Sequence, residues 1–186
     1  NDRYFFEANA GYNGSENFSP DKRFGFFPAF GIGWAVSNES WWTPLQDVVS
    51  YFKVRCTDGL VGTDAVTGRR FMYLDQMASV DGYRFGDQNN GVGGWGFSKY
   101  GANVGWSTSR KQDLGVDLKF FKDNLSLTFD VFKEHRKDIF ITRRVIPDYS
   151  GFVEMPYANL GVVDNKGFEA TLEYTQQLGK QCFLTV

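Results

Sequence analysis

The sequence predicts an all-β chain of antiparallel transmembrane β-barrel strands, and three observations lead there. Large apolar groups are abundant in a chain that is hydrophilic on average. Apolar and polar residues alternate one by one over several segments. Short and long connections between those segments also tend to alternate. Aromatic residues make up 18% of the 186 residues, with 19 Phe, 9 Tyr and 5 Trp, yet mean hydropathy is -0.37. Fine alternation reconciles the two, because successive strand side chains point to opposite faces.

The first strand runs from about Arg3 to Tyr12. Tyr4, Phe6, Ala8, Ala10 and Tyr12 share one face; Arg3, Glu7 and Asn9 share the other. The connection from Asn13 to Arg23 is rich in the turn formers Gly, Ser, Asn and Pro. A second strand covers about Phe24 to Val36, with Phe24, Phe26, Phe30, Ile32, Trp34 and Val36 on one face. Gly25, Ala29, Gly31, Gly33 and Ala35 leave the opposite face nearly bare, which suits close packing against an interior element.

Ser37 to Val49 carries Trp41-Trp42 and Pro44 and fits a connection with a helical turn. The third strand covers about Tyr51 to Leu60, where Phe52, Val54 and Cys56 oppose Lys53, Arg55 and Thr57. Val61 to Gly105 then holds ten glycines and little periodicity, with a short hairpin expected near Arg70 to Leu74. A connection that long in a compact domain usually carries function or is disordered.

The best-defined unit follows. Leu114, Val116, Leu118 and Phe120 share one face, as do Leu125, Leu127, Phe129 and Val131, with Phe121-Lys122-Asp123-Asn124 as a tight turn. Pairing Phe120 with Leu125 sets Leu118 against Leu127, Val116 against Phe129 and Leu114 against Val131. The other face then sets Lys119 against Ser126, Asp117 against Thr128, Gly115 against Asp130 and Lys111 against Glu134. A slip of one residue would ruin both faces at once. Downstream, Phe168, Ala170, Leu172 and Tyr174 oppose Glu169, Thr171, Glu173 and Thr175. A short turn at Leu178-Gly179-Lys180 leads to Cys182, Leu184 and Val186. The chain opens and closes within strand-like sequence, so it is expected to be a segment of a longer protein.

Alternation alone fits a soluble β-sandwich as well as a barrel. Loop lengths favour the barrel: very short turns at 121–124 and 178–180, long connections at 13–23, 61–105 and about 144–158, and an intermediate one at 37–49. Barrels of the outer membrane have short periplasmic turns and long extracellular loops. Aromatics sit near strand ends at Trp34, Tyr51, Trp106, Phe120 and Tyr174, as interfacial girdles require. Lys133 to Asp138 lies opposite Ser107 to Gln112, so strand ends turn polar on both faces, as projecting strands would. Against this, the clearest apolar stripes span about seven residues, where a spanning strand takes roughly 9–11.

Specific motifs point further. Phe52-Lys53-Val54-Arg55 followed by Gly59-Leu60-Val61-Gly62-Thr63 resembles the lysine-x-arginine and glycine-leucine-x-glycine-asparagine segment of SusC/RagA-type TonB-dependent transporters. Trp106-Ser107-Thr108-Ser109 with Leu114-Gly115-Val116-Asp117 resembles that family's next strand, and Asp130-Val131-Phe132 through Lys137-Asp138-Ile139 the one after it. Pro156, Asn159-Leu160-Gly161 and Asn165-Lys166-Gly167-Phe168-Glu169 match its most recognisable barrel signature. Cys56-Thr57-Asp58 and Thr63 depart mildly from the pattern.

The resemblance implies a barrel of roughly 22 strands, about seven of them supplied here. It implies TonB-dependent import of glycans or peptides across the outer membrane of a Gram-negative bacterium. A SusD-like lipoprotein would cap the extracellular loops. The plug domain and TonB box that carry gating are expected elsewhere in the protein. The rival reading is a secreted β-sandwich that binds carbohydrate through surface aromatics.

Other chemistries find little support. A net charge of -2 argues against nucleic acid. No run of about 18 apolar residues offers a transmembrane helix. The single histidine, His135, sits among Lys133, Glu134, Arg136 and Lys137 and reads as a solvated strand end. No His/Cys cluster has metal-site spacing, and no cofactor is expected. Asp87 to Gly91 has the wrong spacing for a calcium loop, and Gly91 to Gly96 lacks the Lys-Ser/Thr of a phosphate loop. Glu169 and Glu173 are about 13 Å apart on a strand, too far for a glycosidase pair, so no enzyme is expected. Cys56 and Cys182 read as two unpaired small hydrophobes.

Candidate functional residues therefore lie in two places. Trp95, Phe97, Tyr100 and Trp106 on the long connection are candidates for stacking on a sugar or touching a lipoprotein. Lys53, Arg55, Asp117, Asp130, Glu169 and Glu173 would line a wet lumen wall.

Overall fold

The computed structural model describes residues 2–65, 70–82, 84–86, 90–151, 154–177 and 183–185. Eleven strands form in chain order: β1 (Tyr4–Gly14), β2 (Phe24–Ala35), β3 (Val49–Thr63), β4 (Gln76–Val80), β5 (Arg84–Phe85), β6 (Asn90–Gly91), β7 (Gly94–Lys99), β8 (Ser107–Phe120), β9 (Leu125–Thr142), β10 (Tyr157–Gln177) and β11 (Phe183–Thr185). Seven make one antiparallel sheet in the order β1-β2-β3-β8-β9-β10-β11, and the other four pair as β4-β7 and β5-β6 within the long connection. The 178–180 turn, Cys182 and Asp87 to Asn89 lie outside the described residues.

The β8–β9 register is the expected one at every position, from Phe120 against Leu125 to Lys111 against Glu134. Complementary faces select it, and the ladder then continues outward through Thr108 against Lys137. The strands are longer than their apolar stripes: 14 residues in β8, 18 in β9 and 21 in β10. Register aligns the stripes across the sheet. Cys56, Leu114, Val131 and Phe168 form one row; Val54, Val116, Phe129 and Ala170 form the next. This continuous band is the apolar face of the wall.

No second sheet covers that band among the described residues. Phe6, Phe30, Ile32, Leu114, Phe168 and Leu172 are all exposed, and Phe129 is 39% exposed. The β-sandwich reading, which needs Leu125, Leu127 and Phe129 in a closed core, is thus overturned. The buried cluster lies instead at the long-loop end, where Phe18, Met72, Ala102 and Val104 pack with Trp106, Phe140 and Tyr157. Burying Phe18, Met72 and Val104 stabilises the loop base by about 1.5–3 kcal/mol per side chain.

The short-turn end is aromatic. Tyr4 and Trp34 stack with centroids 6.4 Å apart, and both donate to Glu39 Oε1, at 2.8 and 3.2 Å. Trp42 contacts Phe52 at 5.4 Å and donates its indole N–H to the Val49 carbonyl. Paired polar tips on apolar rings suit a membrane–water boundary. The β8–β9 turn places Phe121, Lys122 and Asp123 at φ of 54°, 57° and 70°. Its backbone is tied to both flanks, Phe121 N–H donating to Val48 and Thr175 N–H to Asn124.

One expectation needs correction. The hairpin foreseen near Arg70 to Leu74 is only a turn, closed by Leu74 N–H donating to Phe71; the hairpin of this connection is β4–β7. The helical turn expected in the 37–49 connection is present, as two short 3-10 helices, Val36–Asn38 and Ser40–Leu45. β10 begins at Tyr157, where the expected 144–158 connection ends, and its alternation becomes visible only about ten residues later, because register shifts between Asn159 and Val163 interrupt the period.

Candidate functional site

On the polar face, β3 presents Arg55 between its neighbours' carboxylates. Arg55 Nε lies 3.2 Å from Asp117 Oδ2, Nη2 2.6 Å from Asp130 Oδ1 and Nη1 3.7 Å from Asp113 Oδ1. Asp117 and Asp113 belong to β8, but Asp130 belongs to β9, so the guanidinium crosses β8. Gly115 makes the crossing feasible: a Cβ there would sit 2.4 Å from Asp130 Oδ1 and 2.6 Å from Arg55 Cζ. Thr128 Oγ1 donates to the remaining Asp117 oxygen. The rigid five-donor fork of arginine can serve several carboxylates in this way, whereas a lysine ammonium cannot reproduce the geometry.

The other predicted wall residues surround this knot. Lys53 stands on the same face, its Nζ 4.6 Å from the Phe5 ring centroid. Glu169 pairs in register with Asp130 and Glu173 with Ser126; both are exposed and form no ion pair among the described residues. The bare track on β2 is a shallow groove of about 290 Å³ floored by Ala29, Gly31 and Gly59, with Glu7, Asn9 and Lys111 along it. The ion pairs of Arg55, including that to Asp113, and the space left by Gly115 were not foreseen. Their signal was the parity of 113, 115 and 117 on one strand face.

At the long-loop end the four aromatic candidates divide. Trp95 and Phe97 lie on β7 opposite Ser79 and Met77, and Tyr100 stacks on Phe97 at 5.4 Å. Trp95 is 76% exposed, Met77 56% and Phe97 43%, so the hairpin carries an uncovered apolar patch. Trp106 is not part of it. Its ring meets Phe18 and Phe27 edge-on at 5.4 and 5.1 Å, and its indole N–H donates to the Arg23 carbonyl. One side of Trp106 also borders an open cleft of about 640 Å³ shared with Lys22, Phe24, Asn103, Asp138 and Tyr157.

Asn159 holds the base of this loop. Its Oδ1 accepts from Gly105 N–H at 2.8 Å, while Nδ2 donates to the carbonyls of Gly105 and Asp138 at 3.0 and 2.6 Å. Ser15 Oγ donates to Asp64 at 2.7 Å, joining the β1–β2 loop to the start of the same connection. The long loop is thus fastened at both feet.

A family model described as TonB dependent receptor-like, beta-barrel matches residues 1–185. The chain belongs to the TonB-dependent receptor β-barrel family. Among curated relatives, TonB-dependent receptor P3 of Formosa agariphila is 31% identical over 172 residues, which is 91% of this chain and 16% of that protein. TonB-dependent receptor SusC of Bacteroides thetaiotaomicron is 26% identical over 91% of this chain and 17% of its own length. This chain therefore spans about one sixth of these relatives. Among solved structures, the RagAB peptide importer in its open-open state superposes with a TM-score of 0.79 at 18% identity, covering 96% of this chain and 18% of that one. The resemblance to SusC/RagA-type barrels is thereby upheld. The family is one of receptors and transporters rather than enzymes.

Proposed function

We propose that this chain is part of the wall and extracellular loops of an outer-membrane receptor that imports glycans or peptides, driven by TonB. The whole barrel then has roughly 22 strands, with the plug domain and remaining strands elsewhere in the protein, in the outer membrane of a Gram-negative bacterium. A SusD-like lipoprotein sits over the long loops. The observation that carries this reading is one amphipathic wall whose apolar face has no cover among the described residues and whose long-loop end presents a firmly footed aromatic hairpin. Lys53, Arg55, Asp117, Asp130, Glu169 and Glu173 then solvate the lumen rather than grip one ligand. Trp95, Phe97 and Tyr100 meet substrate or lipoprotein, and Trp106 holds their loop in place.

The test is a Trp95→Ala/Phe97→Ala double variant in the full-length receptor. Co-purification of the lipoprotein and uptake of labelled oligosaccharide or peptide are both measured. Loss of either, with unchanged receptor levels in the outer membrane, is expected. Unaltered capture and uptake would remove the hairpin from the function, and a receptor absent from outer-membrane fractions would sink the reading altogether.

A further inference from the structure

Where the apolar band ends toward the long loops, the same face changes character within one row. Cys56, Leu114, Val131 and Phe168 form the last apolar row; Asp58, Gln112, Lys133 and Lys166 form the next, and Arg110, His135 and Asp164 lie in the row beyond. Several polar groups in these rows are paired. Arg110 donates to both Asp58 oxygens at 3.1 and 2.6 Å, and Gln112 adds a third bond to Asp58. His135 Nδ1 lies 2.7 Å from Asp164 Oδ1. Lys133 and Lys166 differ. They are direct cross-strand partners, both exposed, and neither has an anionic partner among the described residues.

Directly opposed like charges destabilise a sheet, their Cβ atoms lying about 5 Å apart. Of the two neighbouring carboxylates, Asp58 is taken on both oxygens by Arg110, and Asp164 turns one oxygen to the His135 ring. The pair is poised for an anion held between two ammonium groups, immediately above an apolar surface. We propose that Lys133 and Lys166 bind the phosphate monoester of a membrane lipid headgroup, with its acyl chains lying down the band over Val131 and Phe168. A membrane lipid, rather than free phosphate, fits the site because charge and apolar surface are continuous there. The proposal rests on the reading that the apolar face meets lipid and that the long loops are extracellular.

Native mass spectrometry of the detergent-solubilised full-length receptor tests it, with dilauroyl phosphatidic acid and dilauroyl phosphatidylcholine as probes. Wild type should retain phosphatidic acid preferentially. Lys133→Gln/Lys166→Gln should bind it about 30-fold more weakly, at roughly a factor of five per lysine. Lys133→Arg/Lys166→Arg should retain it. Equal retention by wild type and the Gln pair would overturn the site. So would competition by inorganic phosphate at the lipid's own concentration, which would make the ligand a soluble anion. A heat-dependent mobility shift on gels checks the barrel independently. Its absence in wild type would defeat the membrane reading and the lipid site with it, whereas its presence with no phosphatidic acid preference would defeat the site alone.

Discussion

Gly115→Ala should destabilise the wall through Arg55 rather than through the backbone. The new methyl would stand 2.4 Å from Asp130 Oδ1, 2.6 Å from Arg55 Cζ and 2.7 Å from Arg55 Nε, all inside contact distance. Flexible side chains would ordinarily move aside, but these are pinned by the 3.2 Å and 2.6 Å contacts of Arg55 to Asp117 and Asp130. Moving the guanidinium surrenders two charge-assisted hydrogen bonds, each worth about 1.5–3 kcal/mol when well shielded. The side chains retain 34%, 28% and 20% exposure, so screening reduces the total to about 1–2 kcal/mol. Arg55→Met should cost about 2 kcal/mol, because Asp113, Asp117 and Asp130 then face one another without a cation. Adding Gly115→Ala to Arg55→Met should cost under about 0.5 kcal/mol, since the guanidinium is gone and Asp130, no longer held by it, can swing aside from the new methyl. Urea unfolding of the full-length receptor, followed by tryptophan fluorescence, measures all three. Equal costs of the glycine change in both backgrounds would refute the reasoning and place the requirement for glycine in the strand itself.

Three further outcomes follow from the same structure. Asn159→Ala should loosen the 64–106 loop by about 1–3 kcal/mol, through the unsatisfied Gly105 peptide, and limited proteolysis should cut that loop faster while the strands stay protected. Lys122→Gly should stabilise the barrel by about 0.5–1 kcal/mol by relieving the positive φ of 57°, whereas Lys122→Ala should not; thermal midpoints on gels discriminate them. Hydrogen bonds from Tyr4 and Trp34, and the Arg3 charge, hold the Glu39 carboxyl below its ordinary range. Its contribution is therefore complete above the ordinary carboxylate pKa and fades as pH falls through the lowered value. An acid-induced change in Trp34 fluorescence should be present in wild type and missing in Glu39→Gln.

The parts of this fold legible in the sequence were those where both strand faces carried the same message. Between Leu114 and Val131 one register satisfied the apolar and polar sides together, so pairing followed without a structure. Tyr157 to Gly167 was harder. Register shifts near Gly161 break the alternation, and hydrogen bonds along a strand continue whether or not side chains advertise them. The wall residues could be placed by parity, but the Arg55 knot could not. It depends on a side chain that is missing at Gly115 and on a guanidinium reaching beyond its nearest neighbour. The Trp95 and Trp106 environments differ for a similar reason. Both are tryptophans in a glycine-rich connection, and only the packing of Phe18 and Phe27 separates an anchor from an exposed surface.

The order of the sheet bears on how such a wall can change. Each neighbouring pair of strands is consecutive along the chain except β3 and β8, which are separated by the whole 64–106 connection. Closing a loop costs only about 0.6 kcal/mol more per doubling of its length. Exchanging the four-residue 121–124 turn for a connection about ten times longer therefore adds only about 2 kcal/mol, which the Asn159 clamp and the buried Phe18 cluster can offset. Residues between those two footholds are free to lengthen, shorten or exchange aromatic groups while the strand register beneath them stays put. If the loop aromatics meet the ligand as proposed, ligand preference and barrel assembly are written in separate parts of the chain, and selection can revise one without disturbing the other.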